Sequence, residues 1–232
     1  MATERLVVIL GEAGLETIPR EVWGHPSVYR YARKRGKPPY RLLLDAAYHH
    51  QALRRLPGRE YRGRPDIVHL TLLALLDSPL CVSGGCEVVV ATVADKAIRV
   101  KPETRLPRNY LRFTGLMEQL LAEGQVPPGS QDPLLALEDT SLNHILATYR
   151  PLIVAAGDEG STVSLDELAR RTLERGAVLV PTTPKTTPTR RLLEAAASLG
   201  LEVATPRGLE GAEPWTIVSR LLCRIEELRG IL

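Results

Sequence analysis

The chain has 232 residues, of which 44% are hydrophobic and 25% charged, and its formal net charge is +3. This length and apolar content are enough for a sizeable buried core and exclude a disordered chain. No apolar run approaches the roughly 18 residues of a membrane-spanning helix, and Leu6–Leu10 is too short for a signal sequence. We therefore expect a globular, cytoplasmic protein.

Strand and helix patterns alternate along the chain. Short β-branched or apolar runs predict strands at Leu6–Leu10, Glu87–Val93, Ile98–Lys101, Leu152–Ala156, Val178–Val180 and Leu201–Ala204. Helical periodicity predicts helices at Ile67–Leu76, Arg112–Glu123, Leu134–Thr148, Leu165–Glu174, Thr189–Ser198 and Trp215–Leu228. The second and third strands read as a hairpin, and residues 125–133, rich in Pro and Gly, are either a linker or a surface loop. The alternation after residue 150 predicts an α/β fold with a parallel sheet.

Charge is divided unevenly between the two halves of the chain. Residues 1–112 hold 19 Lys and Arg against 11 Asp and Glu, whereas residues 113–232 hold 11 against 16. Such asymmetry favours a nucleic-acid-binding face in the first half, although ordinary surface scatter is the alternative. We predict a basic RNA-contacting part at about residues 20–112 and an acidic, non-contacting or cofactor-handling part at about 150–232, within one domain.

Cysteine and histidine give little sign of metal or disulfide chemistry. The three cysteines, Cys81, Cys86 and Cys223, are odd in number and lack CxxC spacing, so the sequence indicates neither a disulfide framework nor a structural zinc site. We interpret them as small apolar residues. The histidines His49, His50 and His69 have no third ligand at metal-like spacing, so we expect hydrogen-bonding or core roles and no metal.

Arg64 and Asp66 are two positions apart at the predicted start of a helix. One interpretation makes Asp66 the N-cap of a helix that begins at Ile67, with Arg64 as a surface partner. In the other, Asp66 orients Arg64, whose planar fork contacts the target nucleotide or its phosphate. A stronger version makes Asp66 a general base.

Three further arginines, Arg105, Arg108 and Arg112, lie at spacings of three and four. Pro107 prevents a regular helix through all of them, so we predict a loop that leads into a helix near Arg112. Their guanidinium groups would grip phosphates, with Tyr110 available for stacking, although a solvated basic face is the alternative.

Several ordered segments resemble the ribosome-biogenesis family of pseudouridine N1-methyltransferases. The similarity is carried by Gly11–Glu16, Leu43–His49, Arg64–His69, Leu75–Pro79, Arg105–Tyr110, Arg112–Glu118 and Trp215–Arg220. The resemblance implies a SPOUT-class α/β fold with a C-terminal trefoil knot that holds S-adenosylmethionine, and with an added basic region of β-hairpin and helix. It further implies a homodimer that acts on small-subunit ribosomal RNA. It also implies that Arg64, Arg105, Arg108 and Arg112 contact RNA and that Asp66 holds Arg64. Ribosomal proteins or assembly factors are possible further partners.

The same resemblance implies cofactor contacts from two loops near the C-terminus. The expected residues are Thr182, Thr187, Val203, Ala204, Thr205, Pro206 and Gly208. Here the sequence departs from the family, because residues 181–188 contain no glycine, and proline lacks an N–H donor. A second hypothesis is therefore an RNA-binding assembly factor with reduced or lost methyl transfer. A third is a SPOUT enzyme that acts on transfer RNA.

Overall fold

A mixed β-sheet with helices on both faces forms the framework of the computed structural model, which describes residues 5–232. The strands are β1 (Leu6–Ala13), β2 (Cys86–Thr92), β3 (Ala97–Val100), β4 (Gln125–Val126), β5 (Leu135–Glu138), β6 (Leu152–Val154), β7 (Ser161–Val163), β8 (Ala177–Pro181) and β9 (Val203–Pro206). The helices are α1 (Pro26–Arg35), α2 (Ala46–Leu53), α3 (Pro65–Leu76), α4 (Pro79–Val82), α5 (Tyr110–Glu123), α6 (Leu142–Tyr149), α7 (Leu165–Arg175), α8 (Arg190–Ser198) and α9 (Pro214–Leu228). Within the described residues, no helix is long and apolar enough to cross a membrane.

The strands lie in the order β4-β5-β3-β2-β1-β8-β6-β9-β7. From β2 to β7 every neighbouring pair is parallel, whereas β2–β3, β3–β5 and β4–β5 are antiparallel. The predicted β2–β3 hairpin and the mostly parallel α/β sheet are therefore confirmed. Parallel strands end at one edge of the sheet, so the loops after β1, β6, β8 and β9 come together there.

Both faces of the sheet are buried. In β1, Val8 and Leu10 face a core shared with α3, α5, α7 and α9, whereas Ile9 faces a second core shared with α6 and α8. This explains why the central strands are continuous apolar runs rather than alternating ones. It also explains why short runs such as Val178–Val180 were recognisable from sequence.

Residues 16–63 form a helical lobe, and the sequence analysis did not locate either of its two α-helices. The lobe contains α1 and α2 and has its own small core, which includes Ile18, Val28, Leu42 and Leu53. Helix α1 buries only Val28 and Ala32, because most of its other positions are cationic or aromatic. Too few apolar positions were left to show a helical period.

The predicted helix Leu134–Thr148 is wrong in its first half. Residues Leu135–Glu138 form β5, and only Leu142–Tyr149 is helical. Ser141 caps the shorter helix by accepting a hydrogen bond from the His144 backbone N–H at 3.2 Å. Of residues 125–133, the first two form β4 and the others belong to the connection between the paired strands β4 and β5, so the segment is part of the sheet and not a linker.

The prediction that the cysteines form no disulfide is also wrong for one pair. Cys81 and Cys86 are joined by a disulfide, with their Cα atoms 4.9 Å apart. Cysteine spacing does not indicate this pair, because the two residues are brought together by the chain reversal between α4 and β2. Cys223 is a free thiol on the exposed side of α9.

The segment between β9 and α9 passes between two other loops. The Gly211 N–H donates to the Ala156 carbonyl at 2.6 Å, and the Thr186 hydroxyl donates to the Ala212 carbonyl at 2.7 Å. The Ala156 N–H in turn donates to the Thr186 carbonyl at 3.2 Å. The loops after β6, β8 and β9 are thus hydrogen-bonded to one another, as expected where the C-terminal segment threads through a knot.

Candidate active site

Arg64 and Asp66 form a two-pronged ion pair at the start of α3. The Arg64 Nε and Nη2 atoms donate to the two Asp66 carboxylate oxygens at 2.9 and 2.8 Å. These bonds raise the pKa of Arg64, so its guanidinium stays charged. The prediction that Asp66 is the N-cap is wrong: Arg64 holds that position, and Pro65 is the first helical residue, a site that proline favours. Asp66 lies in the first turn, where the helix dipole favours its charge.

A buried hydrogen bond between Tyr110 and Asp45 lies beside this pair. The Tyr110 hydroxyl donates to Asp45 Oδ2 at 2.6 Å, while Asp45 Oδ1 accepts from the Ala47 N–H at 2.8 Å. Burial raises the pKa of Asp45, and burial together with the Asp45 carboxylate raises that of Tyr110. The Asp66 carboxylate further raises the pKa of both Asp45 and Tyr110.

The other predicted RNA-binding arginines lie on the entry to α5. Arg105 and Arg108 are exposed in the preceding loop, and Arg112 is exposed in the first helical turn. Asn109 caps α5 by accepting from the Arg112 N–H at 3.1 Å. Within residues 5–232, none of the three arginines has an ion-pair partner at 4.0 Å or less, so their charges are available to an anion.

The hydrogen bond of His69 fixes this arginine loop against α3. His69 Nε2 lies 2.7 Å from the Pro107 carbonyl oxygen, and the imidazole stacks on Phe113 with ring centroids 4.2 Å apart. Burial lowers the pKa of His69, so at neutral pH the ring is neutral and Nε2–H donates to Pro107. A cavity of about 570 Å³ lies between α3 and this loop, lined in part by Arg105 and Arg108.

His49 also has the predicted local role. Its Nδ1 atom accepts from the Asp45 N–H at 3.1 Å, and burial lowers the pKa of His49 to about 4. A neutral ring is required for Nδ1 to accept, so the low pKa and the hydrogen bond are consistent. The prediction of hydrogen-bonding or core roles is therefore confirmed for His49 and His69.

The glycine-free loop after β8 adopts the backbone conformation that glycine usually provides. Lys185 and Thr186 have φ values of +57° and +50°. L residues rarely adopt this left-handed region, and it costs about 1 kcal/mol or more at each position. The turn is held by the Lys185 N–H, which donates to Glu213 Oε2 at 3.2 Å, and by the contacts of Thr186 with Ala156 and Ala212.

Glu213 interacts both with the loop after β8 and, electrostatically, with Arg64 of the Arg64–Asp66 ion pair. It directly precedes α9, and its carboxylate is close enough to Arg64 to contribute to the raised pKa of that guanidinium. The Glu213 carboxylate therefore accepts from the loop after β8 and also acts electrostatically on Arg64. The sequence analysis did not single out Glu213, because no residue pattern links it to Arg64.

The predicted cofactor residues divide into buried and exposed members. Thr182 is fully buried, and its hydroxyl donates to the Gly11 carbonyl at 2.9 Å, whereas Thr187 is exposed. Val203, Ala204, Thr205 and Pro206 form β9, and Gly208 follows with φ at +81°.

The loop at residues 157–160 lies against β9. The Thr205 hydroxyl is within 2.8 Å of the Glu159 carbonyl and 3.1 Å of the Gly157 carbonyl. Gly160 packs so closely on Val203 that a Cβ atom there would lie 2.1 Å from the Val203 carbonyl oxygen. Glu159 Oε2 is buried and has no hydrogen-bond partner in the described part of the chain. A glycine after a strand usually indicates only a turn, so the sequence does not distinguish this loop.

Comparison with solved structures identifies the fold as SPOUT class. The crystal structure of Archaeoglobus fulgidus Nep1 bound to S-adenosylhomocysteine superposes with a TM-score of 0.82 and 37% sequence identity. The superposition covers 97% of this chain and 99% of the other. The expected SPOUT-like knotted α/β fold is thereby confirmed.

Sequence comparison then identifies the family. The family described as EMG1/NEP1 methyltransferase matches residues 8–226, so the chain belongs to this family. The ribosomal RNA small subunit methyltransferase Nep1 of Staphylothermus marinus is 50% identical over 143 residues, which are 62% of this chain and 62% of that protein. The protein of the same name from Pyrobaculum calidifontis is 45% identical over 165 residues, 71% of this chain and 74% of the relative.

Proposed function

We propose that the chain is an S-adenosylmethionine-dependent methyltransferase that modifies the N1 nitrogen of a pseudouridine in small-subunit ribosomal RNA during ribosome biogenesis. Support comes from the family match and from relatives named as small-subunit ribosomal RNA methyltransferases. S-adenosylhomocysteine, which the Archaeoglobus relative binds, is what remains of S-adenosylmethionine after methyl transfer. The observation that carries the proposal is that the Glu213 carboxylate, which accepts from the Lys185 N–H of the loop after β8, also acts electrostatically on Arg64.

The C-terminal loops contain groups suited to a nucleoside cofactor. The unpartnered Glu159 Oε2 is a hydrogen-bond acceptor for a ligand hydroxyl or amine, and it lies beside Thr205. The left-handed turn at Lys185 and Thr186 preserves the backbone path without glycine. We therefore retain as the cofactor-binding residues Thr182, Thr187, Val203, Ala204, Thr205, Pro206 and Gly208.

Methyl transfer requires the N1 proton to leave as the nitrogen attacks an electrophilic carbon. When bound, the cofactor supplies a sulfonium methyl group, whose S–C bond breaks as the N–C bond forms. Because both Asp66 carboxylate oxygens accept hydrogen bonds from Arg64, we propose that the role of Asp66 is to orient Arg64. Arg64 then presents its remaining N–H groups to the nucleotide or its phosphate. The alternative role of Asp66 is to act as the general base that removes the N1 proton.

The RNA is held, in this proposal, by the basic part at about residues 20–112, with Arg105, Arg108 and Arg112 on phosphates. The acidic part at about 150–232 handles the cofactor, and both parts belong to one domain that extends over residues 1–232. We further propose a cytoplasmic homodimer, because pairing would join two basic surfaces into one groove. Ribosomal proteins or assembly factors are proposed as additional partners.

An RNA-binding assembly factor without methyl transfer is the alternative, and the prolines of the loop after β8 favour it. Calorimetry with S-adenosylmethionine and S-adenosylhomocysteine separates the two functions. The enzyme should bind both ligands at micromolar to low-millimolar concentration. If neither ligand gave heat, while the protein still bound a small-subunit rRNA hairpin that contains the target pseudouridine, the enzyme function would be excluded and the assembly-factor function would remain.

The phosphate contacts are tested by the salt dependence of RNA binding. Replacing the three α5-entry arginines by glutamine should weaken binding and reduce the slope of log K against log[salt] by up to about two to three units. A matched variant of equal charge replaces three exposed arginines of the acidic half, and it should leave the slope nearly unchanged. The test variant changes Arg105, Arg108 and Arg112, and the control variant changes Arg170, Arg190 and Arg220. Equal slopes for both variants would contradict the assignment.

A further inference from the structure

Tyrosine is concentrated in the helical lobe. The lobe contains five of the seven tyrosines of the chain: Tyr29, Tyr31, Tyr40, Tyr48 and Tyr61. Residues 20–59 also hold ten Lys and Arg but only two Asp and Glu. A cationic surface with interleaved aromatic rings is the composition that binds unpaired nucleic acid, because phosphates meet cations and bases stack on rings.

Two of these tyrosines form a stacked pair between α1 and α2. The Tyr31 and Tyr48 rings have centroids 4.6 Å apart and an interplanar angle of 27°. Tyr31 is further held by the edge of His49 at 4.8 Å and by Arg35, which donates to its hydroxyl at 2.7 Å. Tyr31 is therefore fixed, whereas Tyr48 is 42% exposed and accessible from solvent.

The pair lies next to the proposed active site. Tyr48 is in the first turn of α2, and its N–H donates to the carbonyl of Asp45, the residue that caps this helix. Asp45 in turn accepts the hydrogen bond from Tyr110, beside the Arg64–Asp66 pair. Tyr48 is thus linked through Asp45 to the Tyr110 hydrogen bond, and Asp45 in turn interacts electrostatically with Arg64.

The charges around the pair do not repel a phosphate backbone. Glu118 is the nearest acidic neighbour of Arg35, and it is neutralised by ion pairs with Arg35 at 3.1 Å and Lys37 at 2.7 Å. Arg33 and Lys34 on the same helix are exposed, and neither forms an ion pair within the described part of the chain. An RNA strand is therefore the partner that this surface fits best.

We propose that Tyr48, backed by Tyr31, is a stacking platform for an unpaired base that neighbours the target nucleotide. The inference rests on the proposed function and adds a subsite to it. A ring already fixed by a stacked partner loses little conformational freedom when a base binds, so most of the stacking energy contributes to affinity. The platform would hold the strand so that the adjacent nucleotide reaches Arg64.

The test uses an rRNA hairpin with the pseudouridine in its loop and 2-aminopurine, a base whose fluorescence falls on stacking, at each neighbouring position in turn. The variants are Tyr48→Ala, which removes the ring, and Tyr48→Phe, which keeps it. The matched control is Tyr29→Ala. Tyr29 is 64% exposed on the same helix as Tyr31, but two residues away, and therefore on the opposite helix face.

The platform predicts quenching at one neighbouring position with the wild-type chain, Tyr48→Phe and Tyr29→Ala, and loss of that quenching with Tyr48→Ala. It also predicts roughly tenfold weaker RNA binding for Tyr48→Ala, with kcat at saturating RNA nearly unchanged. Equal quenching and affinity for Tyr48→Ala and the wild type, with methyl transfer intact, would overturn the platform alone. Failure of the wild type to bind or methylate the hairpin would instead overturn the proposed function.

Discussion

Replacing Lys185 by glycine should stabilise the protein. Lys185 has φ at +57°, which costs an L residue about 1–2 kcal/mol, whereas glycine adopts this region freely. Its side chain is exposed and has no ion-pair partner at 4.0 Å or less in the described part of the chain, so few contacts would be lost. The backbone N–H that donates to Glu213 is retained in the variant.

The expected gain is the relieved strain less the greater freedom of glycine in the unfolded chain. The second contribution is about 0.4–1 kcal/mol, which leaves a net stabilisation of about 0.8 kcal/mol at the middle of the two ranges. For a chain of this length that corresponds to about 1–4 °C in Tm. Differential scanning calorimetry or urea unfolding monitored by circular dichroism would measure it.

Lys185→Ala is the control, because alanine removes the same side chain but keeps the Cβ atom and its strain. It should unfold at or slightly below the wild-type temperature. If Lys185→Ala and Lys185→Gly were equally stable, or the glycine variant were the weaker one, strain at this position would not be a property of the loop. The argument that a glycine-free chain preserves the left-handed turn would then fail.

Three other predictions concern the ion pair, the buried histidine and the disulfide. Asp66→Asn frees Arg64 to reorient, so steady-state kinetics should show a KM for RNA raised about tenfold at similar kcat; a loss of kcat of about 10²-fold or more would identify Asp66 as the general base instead. Burial holds the pKa of His49 at about 4, below the ordinary 6.5, so the unfolded chain binds a proton more readily between these values. Stability should be fully present above pH 6.5 and fall by roughly 2–3 kcal/mol as pH drops to about 4, as measured by urea unfolding, and this pH dependence should be smaller in His49→Phe. Reducing the Cys81–Cys86 disulfide should lower the free energy of unfolding by about 2 kcal/mol in the wild type and leave a Cys81→Ser, Cys86→Ser double variant unaffected.

The sheet and the later helices were predictable because their signals are local. Buried strands such as β1 are continuous apolar runs, and α7 follows the N-cap residue Ser164, whose hydroxyl accepts from the Glu167 N–H at 3.1 Å. By contrast, α1 has too few apolar positions to show a helical period. The segments β5 and α6 were predicted as one helix because apolar residues recur through both. The N-cap residue Ser141 marks the start of α6, and it was the signal in the sequence that could have separated the strand from the helix.

The cationic residues of the candidate site could be predicted from the sequence, but the contacts between its side chains could not. Arg64, Arg105, Arg108 and Arg112 were identified because their spacing and local charge surplus are visible along the chain. Glu213 was not, because its closeness to Arg64 depends on how the C-terminal segment threads through the loops. The Tyr110–Asp45 hydrogen bond joins residues 65 positions apart, and no periodicity relates them.

The central claim is methyl transfer to the N1 nitrogen of a pseudouridine, and labelled methyl incorporation tests it most directly. The purified chain would be incubated with S-adenosylmethionine carrying a labelled methyl group and with two hairpins of identical sequence, one with pseudouridine and one with uridine at the target. Uridine has its N1 joined to the ribose and offers no site. We predict label in the pseudouridine hairpin alone, and that mass spectrometry of the digested RNA will locate it on N1. Equal labelling of both hairpins, or no labelling of either by a protein that binds them, would contradict the account.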